Sequence, residues 1–147
     1  MESVRSFSNT RGVSLNIILS SEFSNSESSY NGGPAGGGWN PERIRNSSFI
    51  NCSGYGNTGD GIDFDGESED ITLYSCSFDG NSGSGVELNG TRVNLINVRC
   101  SGNDSDGITL VGATNCLIQG CSLIDNASDG IDLTGTSDDI SIKSCIL

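Results

Sequence analysis

Histidine is absent from the 147 residues, and positively charged residues are scarce. Without histidine there is no imidazole to act as a general base or as a metal ligand. Lys and Arg total 7 against 19 Asp and Glu, which gives a formal net charge of −12. Such a surface has no basic stripe to meet phosphate groups, so nucleic acid is not predicted as a partner.

Hydrophobic residues are also few, at 33%, and they form no run long enough to cross a membrane. The short apolar patch at residues 17–19 does not resemble a signal peptide, so neither membrane insertion nor a leader is predicted. A chain this poor in apolar residues would be disordered unless a repeat let small groups of them share one core.

Such a repeat is present. The pattern Asp129-Gly130-Ile131-Asp132-Leu133 has clear copies that start at Asp60, Ser84 and Asp106, with glycines 24, 22 and 23 positions apart. In each copy Gly precedes a β-branched, a polar and a large apolar residue, which is the alternation of a strand. A short strand repeated at this period indicates a solenoid. With weaker copies at Gly12 and at Gly38-Trp39, the sequence predicts an all-β solenoid of about six coils, with 22–24 residues per regular coil.

A second strand pattern lies between successive glycine motifs and predicts four inward columns. One coil supplies Ile71, Leu73, Cys76 and Phe78 to them. Ile44, Ser47 and Phe49 are assigned to the last three columns, and Ile18, Ser21 and Phe23 to the same three below them. With this alignment of the coils there are extra residues near 52–60, which are predicted to form an irregular loop. A Gly-rich stretch predicts a second irregular loop near residues 24–43. Both loops are expected on a binding face of one domain spanning residues 1–147.

Asparagine recurs at one corner of the predicted coil, at Asn81, Asn103 and Asn126. Stacked amides can bond along the axis and tolerate a left-handed bend, so a structural ladder is predicted there.

The six cysteines fall mainly on inward columns, where a thiol packs as a small apolar residue. They are Cys52, Cys76, Cys100, Cys116, Cys121 and Cys145. Reduced thiols are predicted, and disulfides are the alternative, since spacing alone defines no bridge. Reduced thiols without a leader suit a protein that folds in the cytoplasm and acts elsewhere, such as a virion component.

The repeated Asn-x-x-Asp-Gly-Ile-x-Leu pattern resembles right-handed parallel β-helix proteins of the pectin-lyase-like superfamily, over nearly the whole chain. Asn57-Thr58-Gly59-Asp60 is similar to the polygalacturonase motif Asn-Thr-Asp with one Gly inserted, but that family also needs a histidine, so polygalacturonase is rejected. A pectate lyase would need a basic proton abstractor, and the regular coils offer only Arg92, Arg99 and Lys143. Within the fold, the chain is most like a segment of a phage tailspike or tail fibre.

Three carboxylates form the candidate catalytic set: Asp60, Asp63 and Glu87. They follow or precede the repeated Gly in neighbouring coils, which lie about 4.8 Å apart. Close carboxylates separate each other's pKa values, as an acid and a base for glycoside hydrolysis require. The alternative is that these residues only bend and solubilise the chain. A Ca²⁺ ion is compatible with the same oxygens, but no calcium-loop motif is present and no cofactor is predicted.

Polysaccharide is the predicted partner, and its predicted contacts are aromatic and acidic: Trp39, Tyr55, Tyr30, Asp106, Asp129 and Asp132. Trp39 and Tyr55 are expected to be exposed on loops as stacking platforms, whereas Phe49, Phe64 and Phe78 are expected in the core. A buried Trp39 that anchors the core is the alternative. Hydrolysis, pure shaft structure, and a lyase or epimerase activity remain competing hypotheses.

Leu147 falls on an inward column, so the last coil would expose apolar groups and unpaired backbone. A homotrimer, or flanking domains of a longer fibre, is therefore expected to cover it. The expected location is the virion or the extracellular space.

Overall fold

The computed structural model describes residues 5–7, 9, 11–33 and 37–147, which form strands and no helix. None of these residues belongs to a helix that could span a membrane. The strands are β1 (Arg5–Phe7), β2 (Val13–Leu19), β3 (Glu22–Ser24), β4 (Glu27–Ser29), β5 (Trp39–Ile50), β6 (Ile62–Tyr74), β7 (Val86–Ile96), β8 (Ile108–Val111), β9 (Thr114–Gln119), β10 (Ile131–Thr134) and β11 (Asp138–Lys143).

Every strand pair is parallel, and each strand lies against the strand one turn away. The residue after each repeated Gly stacks in one continuous column: Val13, Trp39, Ile62, Val86, Ile108 and Ile131. The chain is therefore a β-solenoid of about five turns, and the predicted all-β fold is confirmed.

Each turn has three faces. The first face consists of the strand segments directly after the repeated Gly, including β8 and β10. The second face holds the later part of β5, β6 and β7, followed by β9 and β11. On the third face, β1 and β4 pair, and single parallel bridges link Glu27, Ser53, Ser77, Arg99, Ser122 and Ile146.

Left-handed residues bend the chain at regular points. Between the second and third faces the bend falls on Asn25, Asn51, Ser75, Asn97, Gly120 and Ser144, all at positive φ. Small polar residues and Gly tolerate this conformation best, which explains why this sequence is so rich in them.

Inward side chains of all three faces fill a narrow core. Phe49, Phe64 and Phe78 are fully buried, as predicted. Phe49 stacks on Phe23 at a centroid distance of 4.8 Å and meets Phe64 edge-on at 5.8 Å. Aromatic contacts of this kind add to the stabilisation that burial alone provides.

The predicted register of the early coils is wrong by five residues. Phe49 pairs with Leu73 and Ser47 with Ile71, so neither occupies the column predicted for it. The columns of Cys76 and Phe78 are continued by Cys52 and Gly54, as the bridge between Ser53 and Ser77 shows. The sequence prediction aligned the large apolar residues of successive coils with one another. An inward column can nevertheless hold Gly54 in one turn, because Phe78 of the next turn fills the space beside it.

The corrected register also changes the predicted loops. Residues 52–60 form a regular corner without extra residues. Within residues 24–43, β4 and the start of β5 are ordinary strands, and the inserted residues are confined to the stretch between Asn31 and Gly38.

Trp39 is the anchor of the second turn, so the prediction that it is exposed is wrong. Its side chain is 0% exposed, and its ring meets Phe23 and Phe49 edge-on at 6.4 and 5.8 Å. The indole N–H donates a hydrogen bond to the Ser53 carbonyl at 2.8 Å, which satisfies the only polar atom of the ring. Trp39 occupies the column of Val13 and Ile62, as the Gly38-Trp39 motif predicted.

The asparagine ladder is longer than the three residues predicted. Asn31, Asn57, Asn81, Asn103 and Asn126 stack in order, and each amide N–H₂ donates to the next amide oxygen at 2.9–3.1 Å. The same oxygens accept backbone N–H groups from the turn below. The ladder therefore closes the corner between the third and first faces along the length of the stack.

Candidate functional site

The first face presents an outward column of polar side chains beside its buried one. Asp63 in β6 lies directly opposite Glu87 in β7, and Glu87 lies opposite Thr109 in β8. Asp132 in β10 continues the column beyond Thr109. Since neighbouring parallel strands are about 4.8 Å apart, the structure brings Asp63 and Glu87 together, while Thr109 separates Asp132 from them.

Asp60 lies at the entrance to the same strand, just before Gly61. Its Oδ1 accepts a hydrogen bond from the Ser84 backbone N–H of the next turn at 2.6 Å. Burial raises the pKa of Asp60, and this hydrogen bond opposes the rise only in part. We define Asp60, Asp63 and Glu87 as the acidic trio.

The acidic trio behaves as an electrostatically coupled group. Burial, followed by the negative charges of Glu87 and Asp60, raises the pKa of Asp63 to about 6. Burial and the charge of Asp60 also raise the pKa of Glu87. A carboxyl group with a pKa near 6 can hold a proton at mildly acidic pH while a neighbouring carboxylate is ionised, which suits general acid catalysis.

Two further carboxylates, missed by the sequence analysis, contribute to this field. Asp65 and Glu42 both raise the pKa of Asp63 through their charge. Glu42 accepts a hydrogen bond from the Asn16 amide at 2.8 Å, and Asp65 accepts one from the Arg43 backbone N–H at 3.1 Å. Both could have been found from the repeat, because each lies two residues further along its strand than the outward column that carries Asp63.

Arg11 was also missed. It precedes Gly12 in the weakest copy of the glycine motif, and it lines a depression of about 180 Å³ with Ser14, Asn40 and Glu42. The three basic residues that the sequence analysis considered lie elsewhere. Arg92 forms ion pairs with Asp70 and Glu69, Arg99 forms one with Asp79, and Lys143 lies at the end of β11 on the second face. None of them is near the acidic trio in the register of the strands.

The other predicted acidic contacts differ from the trio. Asp106 occupies a structural position in which it accepts hydrogen bonds from the Asp129 backbone N–H at 2.9 Å and the Thr109 hydroxyl at 3.1 Å. Burial works to raise the pKa of Asp106, but these and other hydrogen bonds outweigh it, and the net shift is downward. Asp106 is therefore held as a carboxylate, whereas Asp129 is exposed on the following turn.

Tyr30 and Tyr55 do not lie beside the acidic trio. They line a groove of about 640 Å³ on the third face, across the asparagine corner, together with Ser53, Gly56, Ser77, Asp79, Gly80, Arg99 and Ser101. We call this the tyrosine groove. The sequence predicted one patch that combines the acidic and the aromatic residues. The structure instead has two separate sites on two faces, and Trp39 belongs to neither because it is buried.

No group of three or more His, Cys, Asp or Glu side chains is arranged to hold a metal ion within residues 5–7, 9, 11–33 and 37–147. The acidic trio itself lacks that geometry.

Comparison with known proteins identifies the architecture. A family model described as a right-handed β-helix region matches residues 43–147. The periplasmic alginate epimerase AlgG superposes with a TM-score of 0.71 at 16% identity, covering 99% of this chain. This chain spans 43% of the AlgG chain. A proposed glycosyl hydrolase from Parabacteroides merdae ATCC 43184 aligns with a TM-score of 0.42 at 14% identity, over 98% of this chain and 78% of its own. No curated protein sequence matches.

Proposed function

This chain belongs to the right-handed β-helix family, and from that premise we propose that it binds a polysaccharide along the first face and hydrolyses its glycosidic bonds with the acidic trio. One observation carries the proposal: Asp63 and Glu87 lie opposite each other on adjacent turns, and Asp63 has a pKa of about 6. The likeness to AlgG concerns the fold, and the polysaccharide in that enzyme's name agrees with the ligand class proposed here.

In this mechanism protonated Asp63 donates its proton to the glycosidic oxygen as the bond from that oxygen to the sugar carbon breaks. Ionised Glu87 stabilises the positive charge that develops on the sugar and bonds to the same carbon. Water then cleaves this ester and gives one proton back to Asp63, which restores both carboxyl groups. Asp60 is a positioning residue, because its charge raises the pKa values of both partners while the Ser84 N–H holds its carboxylate in place.

The proposal has a defined pH dependence. Hydrolysis requires Asp63 protonated and Glu87 ionised, so the rate falls as pH rises through about 6, the pKa of Asp63. It also falls at low pH as Glu87 takes up a proton. A bell-shaped profile with its alkaline limb near pH 6 is expected.

The test is release of reducing ends from a panel of neutral surface polysaccharides. We expect Asp63→Asn and Glu87→Gln each to reduce hydrolysis at least 100-fold, in line with the usual contribution of acid–base groups. Asp138→Asn is the matched control, since Asp138 is an exposed carboxylate in β11 on the second face, and it should retain activity near wild type. Wild-type protein that binds a glycan without cleaving it would restrict the function to binding.

We further propose that the chain acts as part of a trimeric tailspike, tail fibre or adhesin. This part of the proposal rests on the resemblance of the repeated glycine motif to β-helix segments of such proteins. Sedimentation at micromolar concentration tests this proposal, and a monomer without self-association would contradict it.

If the chain is only a shaft, it should neither cleave nor bind any glycan of the panel. That outcome would remove the catalytic proposal while leaving the proposed assembly open to the sedimentation test.

A further inference from the structure

The tyrosine groove lies on the third face and uses none of the residues of the acidic trio. Its volume of about 640 Å³ falls within the range of small-ligand sites, which is roughly 300–1,000 Å³. Its wall combines two aromatic rings, a carboxylate, a guanidinium and several hydroxyls. This combination of one apolar plane and convergent polar groups is the usual make-up of a ligand site.

The aromatic wall is built at a conformational cost. Tyr30 has φ of 55°, although the equivalent position of the next three turns is Gly56, Gly80 and Gly102, also at positive φ. A residue with a side chain is less favourable than Gly in this region, so Tyr30 costs backbone energy that its Gly counterparts do not. The Tyr30 ring lies against Gly56, where any Cβ would collide with it. Packing thus fixes the ring in place.

Tyr30 nevertheless keeps its ring open to solvent. It is 58% exposed, and it meets Tyr55 edge-on with a centroid distance of 5.1 Å and an interplanar angle of 83°. The nearby Glu27 carboxylate raises the pKa of Tyr55. The two tyrosines therefore form a braced pair with one ring available to a ligand.

The polar side of the groove has unused hydrogen-bonding capacity. The Ser101 hydroxyl oxygen, which is shielded from water, has no hydrogen-bond partner among the described residues, and the same holds for Glu27 Oε1 next to Tyr55. Groups of this kind cost stability unless a ligand satisfies them. Beside Ser101, the Arg99 side chain donates to Asp79 Oδ2 from Nε at 3.0 Å and from Nη2 at 2.5 Å.

The charge of the groove selects the ligand class. Asp79 neutralises Arg99, so no unpaired cation remains among the groove's described residues to receive a carboxylate. The Glu27 carboxylate, which raises the pKa of the neighbouring Tyr55, adds a negative charge beside the groove. An uncharged sugar ring presents an apolar face of C–H groups to an aromatic plane and hydroxyls to charged and polar groups at its rim. A uronate would meet net negative charge.

We propose that the tyrosine groove is a second glycan site, which holds a neutral pyranose oligosaccharide with one sugar ring stacked on Tyr30 and its hydroxyls bonded to Asp79, Arg99 and Ser101. Successive turns offer this polar column at intervals of about 4.8 Å, so a chain of sugars can follow the axis of the solenoid. The site extends the proposed function by binding glycan outside the acidic trio, and it does not depend on hydrolysis.

Calorimetric titration of the full chain with neutral glucose, galactose and mannose trisaccharides tests the proposal, with a galacturonate trisaccharide as the charged comparison. We expect at least one neutral trisaccharide to bind with a millimolar or lower Kd and the uronate to bind at least tenfold more weakly. Tyr30→Gly should reduce the affinity at least tenfold. This variant removes the ring but suits the left-handed backbone, so the fold is retained.

Tyr74→Ala is the matched control, because Tyr74 is also exposed, at 46%, but lies at the end of the second-face strand β6 outside the groove. It should bind like wild type. Glu87→Gln should also retain this binding, which separates the groove from the acidic trio. Three results would overturn the proposal: no neutral trisaccharide binds, the uronate binds more tightly, or Tyr30→Gly binds as wild type does.

Discussion

Asp63 shows how one side chain links stability to pH in this protein. Its pKa rises from 3.8 in an unfolded chain to about 6 in the folded one, so the folded state binds more protons between these values. Stability from this group is therefore present below pH 4 and is lost as pH rises through about 6. We expect Asp63→Asn to be more stable than wild type at pH 7 and equal to it near pH 3.5.

The gain is limited because Asp63 is partly solvated and the shift is screened. About 1 kcal/mol, or roughly 2–4 °C in Tm for a chain of this size, is expected. Thermal unfolding at the two pH values measures it. Asp132→Asn is the control, because Thr109 separates Asp132 from the trio in the same column, and an equal gain in both variants would contradict the assignment of the shift to the trio.

Trp39 is the residue whose removal should damage the fold most. Trp39→Ala empties a fully buried site and leaves the Ser53 carbonyl without its donor, so a loss of about 3–5 kcal/mol is expected. Urea denaturation measures the loss, with Tyr74→Ala as an exposed aromatic that should change stability by less than about 0.5 kcal/mol. Because Trp39 is the only Trp, iodide should fail to quench native fluorescence. Strong quenching would contradict the buried position.

At the level of elements, the asparagine ladder holds each turn to its neighbours. Asn81→Ala removes the acceptor of both the Asn57 backbone N–H, at 3.1 Å, and the Asn57 amide, at 2.9 Å, inside a buried corner. It also deprives the Gly54 carbonyl of a donor at 3.1 Å. Several unsatisfied groups should cost about 2–4 kcal/mol in total.

Asn94→Ala is the matched control for the ladder. Asn94 lies on an outward position of β7 and is partly exposed, so this substitution should change the free energy of unfolding by less than about 0.5 kcal/mol. Equal effects of the two substitutions in urea denaturation would show that the corner does not depend on the ladder.

The strands and corners also show which parts of the structure can be predicted from the sequence alone. The glycine motif predicted the first face correctly because every copy has the same Gly and strand alternation. The register of Phe49 failed because Gly54 and Ser28 replace large residues in a column, and aromatic rings from other positions fill the space. The pairing of Asp63 with Glu87 followed from the repeat, but the separation of Tyr55 from them did not, since the corner at Asn57 had been taken for a loop.

For the whole molecule, the reactivity of the six thiols shows whether the stacked turns stay closed. All are unpaired, and five are buried, while Cys145 in the last turn is partly exposed. Burial raises the pKa of Cys121 to about 11 and that of Cys100 well above its usual value, so these thiols are unreactive as well as inaccessible.

A thiol reagent at pH 8 should therefore modify Cys145 quickly and the other five only at the rate of unfolding. All six should react at once in denaturant, which serves as the control. Rapid modification of more than one thiol in the native protein would show that the turns open locally. If fewer than six thiols react in denaturant without reductant, some of the cysteines form disulfides instead.

The corner between the first and second faces has one further consequence, for engineering. Three residues separate Phe64 from Ser68 there, but only one separates Leu88 from Gly90 in the next turn, and the strands on both sides stay in register. Variation at this corner accounts for the spacings of 24 and 22 residues between the repeated glycines. Foreign peptides grafted at residues 65–67 should therefore project from the solenoid beside the acidic trio, whereas grafts at the asparagine corner should break the stack.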